Sequence, residues 1–283
     1  MSQSMNVAES SNNEPNASRA ISGQDVVNRP SAMRAELAMV WTLWRRDMLR
    51  LQRERSRWFG VVLQPLLFWF LIGSGMADNF QIEGQQQSYL TFFFPGVLVM
   101  ILLFTSIFGT IALIEDRQSG FLQGVLVAPG SRSSLVLGKI AGVTSIAILQ
   151  AGLFLALSPW TGYPFAAVSW GVVAAAVVLS CVFMTSICFV MAWLLHSTQA
   201  YHALMSVVLI PLWVLSGAMF PAGEGVLSTV MQFNPMTYSV TALRSGLEGS
   251  GGALTPLLVL LVLSVAGVVF AAVISRRQGG RAA

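Results

Sequence analysis

Residues 91–157 read TFFFPGVLVMILLFTSIFGTIALI (91–114), EDRQSGFLQGVLVAPGSRSSLVLGK (115–139) and IAGVTSIAILQAGLFLAL (140–157). Two long apolar runs flank a segment that holds Glu115, Asp116, Arg117, Arg132 and Lys139, the sole lysine of the chain. Uncharged apolar runs of this length read as helices that cross a membrane.

The pattern repeats outward in both directions. Of 283 residues, 55% are hydrophobic and 10% charged, where a soluble domain carries about a quarter charged. The apolar runs predict an all-α polytopic membrane protein with six spans: Trp58–Met76, Thr91–Ile114, Ile140–Leu157, Val168–Leu195, Tyr201–Phe220 and Leu254–Ile274. Pro65, Pro95 and Pro211 fall in or at the start of spans, where neighbouring helices can satisfy the freed carbonyls. Residues 1–30, polar and rich in Ser and Asn, predict a disordered tail without the apolar core of a signal peptide. Residues 31–57 form a segment of their own, 58–275 the six-helix domain, and 276–283 a basic tail.

Cations set the orientation. Fifteen of the 16 Lys and Arg residues fall before Arg57 or at it, in the 115–139 segment, or in the tail; Arg244 alone lies in the loop after the fifth run. The expectation is a multi-pass protein of the prokaryotic plasma (inner) membrane with both termini and the 115–139 segment in the cytosol. Ahead of the first span, Leu37, Trp41, Trp44 and Met48 recur at helical spacing, with Arg45, Arg46, Arg50 and Arg53 away from them. Such a helix suits the lipid headgroup layer, and equally a cytosolic helix packed on the protein itself.

Several chemistries lack their residues. No Asp, Glu, Lys or Arg falls inside the six spans as drawn, which argues against proton- or sodium-driven transport. Gly130 to Lys139 misses the phosphate-loop spacing, so no ATPase motif is present. His196 and His202 flank one short turn, and Ser74 lies toward the opposite face, a poor start for a serine–histidine hydrolase. Two histidines and scattered acids build no metal site. Cys181 and Cys188, about 10 Å apart along one helix, are too distant for a disulfide.

Within 115–139, the acids predict the start of a new helix, where they complement the macrodipole. Phe121, Leu122 and Val125 give it an apolar side, and Gly120 and Gly124 thin one face. Pro129-Gly130 should end it, and Ser131 should cap the following helix. This reads as a cytosolic amphipathic helix that receives another protein or lies on the membrane; an inert connector fits the same residues. In the outer loop, Asn234 is a good N-cap and Pro235 suits the first helical position.

The run E-D-R-x-x-G-x-L…P-x-S-R-x-x-x-x-x-G-K resembles the signature loop of the ABC-2-type transporter permease family. Phe233-Asn234-Pro235-Met236-Thr237-Tyr238…Ala242-Leu243-Arg244 resembles a second motif, of the drug-resistance and nodulation-type exporter branch. The resemblance covers roughly residues 31–280. It implies that Glu115, Asp116, Arg117, Gly120, Phe121, Leu122 and Val125 form a coupling helix docking on a separate phosphate-loop ATPase subunit. Pro129, Arg132, Gly138 and Lys139 would close that loop. Asn234, Pro235, Thr237, Tyr238 and Arg244 would belong to short re-entrant helices before span six, and Leu37, Trp41, Trp44 and Met48 to the interfacial helix. The implied protein is the permease subunit of an exporter for an amphipathic small molecule, lipid or glycan. It would act as a homodimer in lipid, without nucleic acid. No cofactor, metal or catalytic residue is expected on this chain, with ATP and Mg on the partner. Phe92, Phe93, Phe94, Phe104 and Trp213 are candidates to line an apolar path. The alternatives are a polysaccharide exporter permease and an intramembrane hydrolase or transferase.

Overall fold

A computed structural model describes residues 32–53, 55–76, 88–127, 131–163, 166–221 and 225–277. The expected tail 1–30 and residues 278–283 of the expected basic tail lie outside them. The described residues form ten α-helices: α1 (Ala32–Arg53), α2 (Arg55–Met76), α3 (Tyr89–Gln118), α4 (Phe121–Val127), α5 (Arg132–Leu155), α6 (Trp170–Leu194), α7 (Thr198–Trp213), α8 (Val226–Phe233), α9 (Pro235–Glu248) and α10 (Leu254–Arg277). Five helical stretches are long and apolar enough to cross a membrane: Tyr89–Gln118, Arg132–Leu155, Trp170–Leu194, Thr198–Ala218 and Gly251–Arg277. The expected first span falls in α2, whose apolar part, Leu63–Met76, is shorter. The protein is a multi-pass helical membrane protein.

Helix α3 is the axis of the bundle, with nearly all of Thr91–Leu103 buried. Phe93 and Phe94 are fully enclosed; Phe94 stacks on Phe154 of α5, and Phe93 lies against Tyr89 and Trp213. Phe92, Phe93, Phe94 and Trp213 are therefore core, and Phe104 stacks on Phe108 of its own helix. Phe92, Phe93 and Phe94 fill the axis, and Phe104 is partly buried. Close approach is set by small residues, as expected where lipid offers no hydrophobic drive. A Cβ on Gly109 would sit 2.5 Å from Val143 of α5, and one on Gly96 would sit 2.6 Å from the Ala218 carbonyl oxygen.

Pro95 removes a donor from the α3 ladder, and the carbonyl it would serve, that of Thr91, accepts instead from the Tyr163 hydroxyl at 3.0 Å. Helix α7 runs into a π-helical turn at Val214–Ala218, where Gly217 takes φ +78°. Cys181 and Cys188 are both free and buried, as their spacing requires.

The spans end further out than their apolar runs. Helix α3 carries Glu115, Asp116 and Arg117 in its last turns, and α5 carries Arg132 and Lys139 in its first two and a half. The charge-free spans expected from the apolar runs thus gain ionisable residues at one common end of the bundle, the basic end.

Candidate functional site at the basic end

The 115–139 segment is built differently from the sequence expectation. Glu115, Asp116 and Arg117 close α3 and do not open a new helix. Carboxylates at a helix C-terminus oppose the macrodipole, and α1 supplies the compensation. Arg46 Nη2 is hydrogen-bonded to Asp116, and Arg50 Nη2 bonds Glu115 Oε2 at 2.6 Å, with Asp116 Oδ1 3.9 Å from its other nitrogen. Arg117 points the other way and donates to the carbonyls of Trp193 (3.0 Å) and Leu195 (3.1 Å) at the end of α6. Three consecutive residues therefore tie α3 to α1 on one side and to α6 on the other.

Gly120 then turns the chain with φ +77°, a conformation that side-chain-bearing residues rarely adopt. Helix α4 follows, seven residues long. Leu122 (4% exposed) is sunk in the core, and Val125 packs on it. Phe121 is 43% exposed, with the Arg46 guanidinium 4.3 Å above its ring. Gly124 is exposed and has open space around it. The outward face of α4 is therefore Phe121 beside a bare backbone patch, and Leu122 belongs to packing. Pro129 lies outside the described residues.

Ser131 caps α5, accepting from the Ser134 amide. Arg132 donates to the Ser275 carbonyl of α10 at 3.0 Å, so it anchors the two helix ends. Gly138 allows α1 to approach: a Cβ there would sit 3.0 Å from that of Leu43. Lys139 Nζ pairs with Asp47 Oδ2 at 2.9 Å, both almost fully buried. The last two residues thus receive α1 and do not close the loop. The open groove between α1 and α4, of about 500 Å³, is lined by Arg46, Leu49, Arg50, Arg53, Asp116 and Phe121.

Asp47 was missed in the sequence. Its signal was its place four residues after Leu43 on the stripe that faces α5. The face read as apolar, Leu37, Trp41, Trp44 and Met48, is rotated: Leu37 and Trp41 are exposed, Met48 is partly buried, and Trp44 donates to Ser145 of α5 at 2.9 Å. Helix α1 is packed on the protein and presents Leu37 and Trp41 outward.

At the far end, α8 and α9 form a hairpin. Its tip, Pro235-Met236, lies beside Leu103, Met184 and Ile187, in the middle of α3 and α6. Its end returns outward, where the Ser169 amide donates to the Gly246 carbonyl at 2.8 Å. Asn234 caps α9 by accepting from the Met236 amide, and donates to the Leu212 carbonyl at 2.5 Å. Tyr238 donates to the Gln232 carbonyl at 3.0 Å, and the buried Thr237 hydroxyl has no partner among the described residues. Arg244 spans from α9 to the Phe92 (3.4 Å) and Gly217 (3.2 Å) carbonyls, its guanidinium 4.3 Å above the Phe92 ring. Burial raises the Glu248 carboxyl above its ordinary pKa, and Arg244 partly opposes this.

Ser74 spends its hydroxyl on the Phe70 carbonyl of its own helix, and His196 and His202 are both exposed. Among the described residues, no group of three His, Cys, Asp or Glu is placed to hold a metal.

Comparison with known proteins settles the family. The profile of the ABC-2 type transporter family matches residues 38–247, most of the chain. The chain belongs to the ABC-2 type transporter family. The daunorubicin resistance ABC transporter permease protein DrrB1 of Streptomyces coeruleorubidus is 27% identical over 254 residues, 86% of each chain. Nodulation protein J of Rhizobium meliloti is 24% identical over 217 residues, 74% of this chain and 80% of that one. The match begins inside α1 and ends inside α9, so it takes in both the basic-end platform and the far-end hairpin. The protein is a transport permease by family, and such permeases normally pair with an ABC ATPase subunit.

Proposed function

We propose that this ABC-2 permease is the membrane subunit of an ATP-driven exporter, receiving a separate phosphate-loop ATPase on α4 and the adjoining face of α1. The observation that carries the reading is the division of labour within α4. Leu122 holds the helix to the core, and Phe121 stands half-exposed at the edge of an arginine-lined groove. A half-exposed aromatic beside charges is the usual form of an interface anchor. The ion pairs from α1 to the end of α3 make the platform stiff, so a push on α4 reaches the bundle axis directly.

In this reading the basic end is cytosolic, both termini lie there, and the membrane is the prokaryotic inner membrane. ATP and Mg bind the partner. Two copies form the pathway, Leu37 and Trp41 sit in the lipid headgroups, and the α8–α9 hairpin enters the outer leaflet near the exit. The cargo is amphipathic: a small molecule, lipid or glycan, in keeping with a relative named for daunorubicin resistance.

The test is copurification. The tagged protein, extracted in mild detergent from its native membranes, should bring a phosphate-loop ATPase near equal stoichiometry. A Phe121→Asp variant that inserts normally should lose it. An equal yield from both would exclude α4 as the docking element.

A further inference from the structure

Charge is shared unevenly across the basic end. On the α1 side, Arg46 and Arg50 meet Asp116 and Glu115, and Lys139 meets Asp47. On the opposite side α10 ends against the start of α5, and Arg132, Arg276 and Arg277 have no carboxylate partner among the described residues. Arg276 donates from Nε (3.2 Å) and Nη2 (2.6 Å) to the Ser133 hydroxyl, and Arg132 donates to the Ser275 carbonyl. Both acceptors are neutral, and a guanidinium has five N–H donors, so charge and donors are left over. The Ser133 oxygen accepts twice, while its own proton has no acceptor among the described residues. Arg277, the next residue, is exposed.

Below this cluster lies an apolar face. Arg276, Val273, Val269 and Val262 are spaced by three, four and seven residues, which puts them on one side of α10. The three valines are exposed, at 39%, 56% and 67%. One turn along α5 from Ser133, Leu137 is exposed as well. Arg276 to Val262 covers about 21 Å of helix, more than one leaflet's half of a hydrocarbon core of about 30 Å.

Guanidinium forks suit the paired oxygens of a phosphate, and a free hydroxyl proton adds a further donor. An apolar stripe directly beneath suits acyl chains, whereas a soluble anion or an acidic protein segment has no use for it. We propose that the end of α10 and the start of α5 form a binding site for an anionic diacyl phospholipid. Its phosphate is held by Arg276, Arg277 and the Ser133 hydroxyl, and its chains lie along Val273 and Val269. Basic sites between membrane helices hold anionic headgroups in this way. The lipid is a fixed partner and not cargo: it clamps the end of α10 to the helix that follows α4. The proposal needs only that the helices span a bilayer, and it is independent of where the ATPase docks.

The test is native mass spectrometry of the full-length chain in detergent, titrated with dioleoyl phosphatidylglycerol or dioleoyl phosphatidylcholine. The two lipids share chains and phosphate and differ in net charge. The first phosphatidylglycerol should bind about ten-fold more tightly than the first phosphatidylcholine. Arg276→Gln should cut that preference several-fold. Arg50→Gln, which changes the net charge equally on the other side of the bundle, should leave it intact. Ser133→Ala and Arg277→Gln should each lower it in the same direction, and they serve if Arg276→Gln misfolds. Inorganic phosphate at millimolar concentration should not displace the lipid. Equal binding of the two lipids by wild type, or equal loss in Arg276→Gln and Arg50→Gln, would overturn the site. Full displacement by inorganic phosphate would make it a small-anion site and overturn the lipid assignment. ATPase capture by the same preparations reads the exporter proposal separately.

Discussion

The two ends of this bundle solve the same problem with different chemistry. At the basic end, α1 is held by charge on charge, Arg46 and Arg50 against Asp116 and Glu115 of α3 and Asp47 against Lys139 of α5, while Arg117 and Arg132 reach carbonyls at the ends of α6 and α10. At the far end, breaks in helices are held by side chains reaching backbone carbonyls: Asn234 to Leu212, Tyr89 to Met219, Trp213 to Gly96, Arg244 to Gly217 and Phe92. Ion pairs are the cheaper device near water, where desolvation is partial. Carbonyls freed by Pro95 and by the π-helical turn lie deeper, and each needs a donor. The basic end is thereby a platform of whole helices, and the far end a set of broken ones pinned at single atoms.

That contrast orders the expected effects of substitution. The largest falls on the buried pair. Lys139→Met strands Asp47, at a cost of about 3–5 kcal/mol for a broken buried pair, somewhat relieved by Arg46 Nη2 3.4 Å from Asp47. Thermal unfolding in detergent should show a large drop, and adding Asp47→Leu should recover most of it. If the double variant is no better than the single, the pair is not the contact that matters.

Next is Gly96→Ala, which drives a methyl into the backbone of Ala218, where no flexible side chain can give way. Overpacking of this kind costs about 1–3 kcal/mol, and the loss should appear as faster proteolysis around the π-helical turn. Asn234→Ala removes an N-cap and a carbonyl's donor together, about 1–2 kcal/mol; hydrogen exchange should rise in the first turn of α9 and at Leu212. Protection unchanged there would mean the hairpin is held by packing alone. Smallest is Arg50→Gln. Its pair with Glu115 is partly exposed, worth about 0–1 kcal/mol, so melting should barely shift. A melting loss to match that of Lys139→Met would erase the distinction between the exposed and buried ion pairs.

Much of this was legible in the sequence where the signal was local. Ser131 and Asn234 cap the helices that their positions predict, and five of the apolar runs fall in long helices. The misreading at Glu115–Arg117 has a physical cause. A rule about acids and helix N-termini is local, and it was overridden by arginines some 65 to 70 residues earlier that make the same acids acceptable at a C-terminus. Asp47 escaped for the same reason, since its value lies in Lys139, 92 residues away. Phe121 and Leu122 are adjacent and equally apolar, and only the packed structure shows that one is core and the other surface.

The central claim is that α4 meets the ATPase with Phe121 as its exposed anchor. The most direct measurement compares Phe121→Asp with wild type in equilibrium binding to the purified ATPase subunit identified by copurification, with melting recorded alongside. The account predicts an unchanged melting temperature and a loss of binding of ten-fold or more. Full binding by a stably folded Phe121→Asp protein would contradict it.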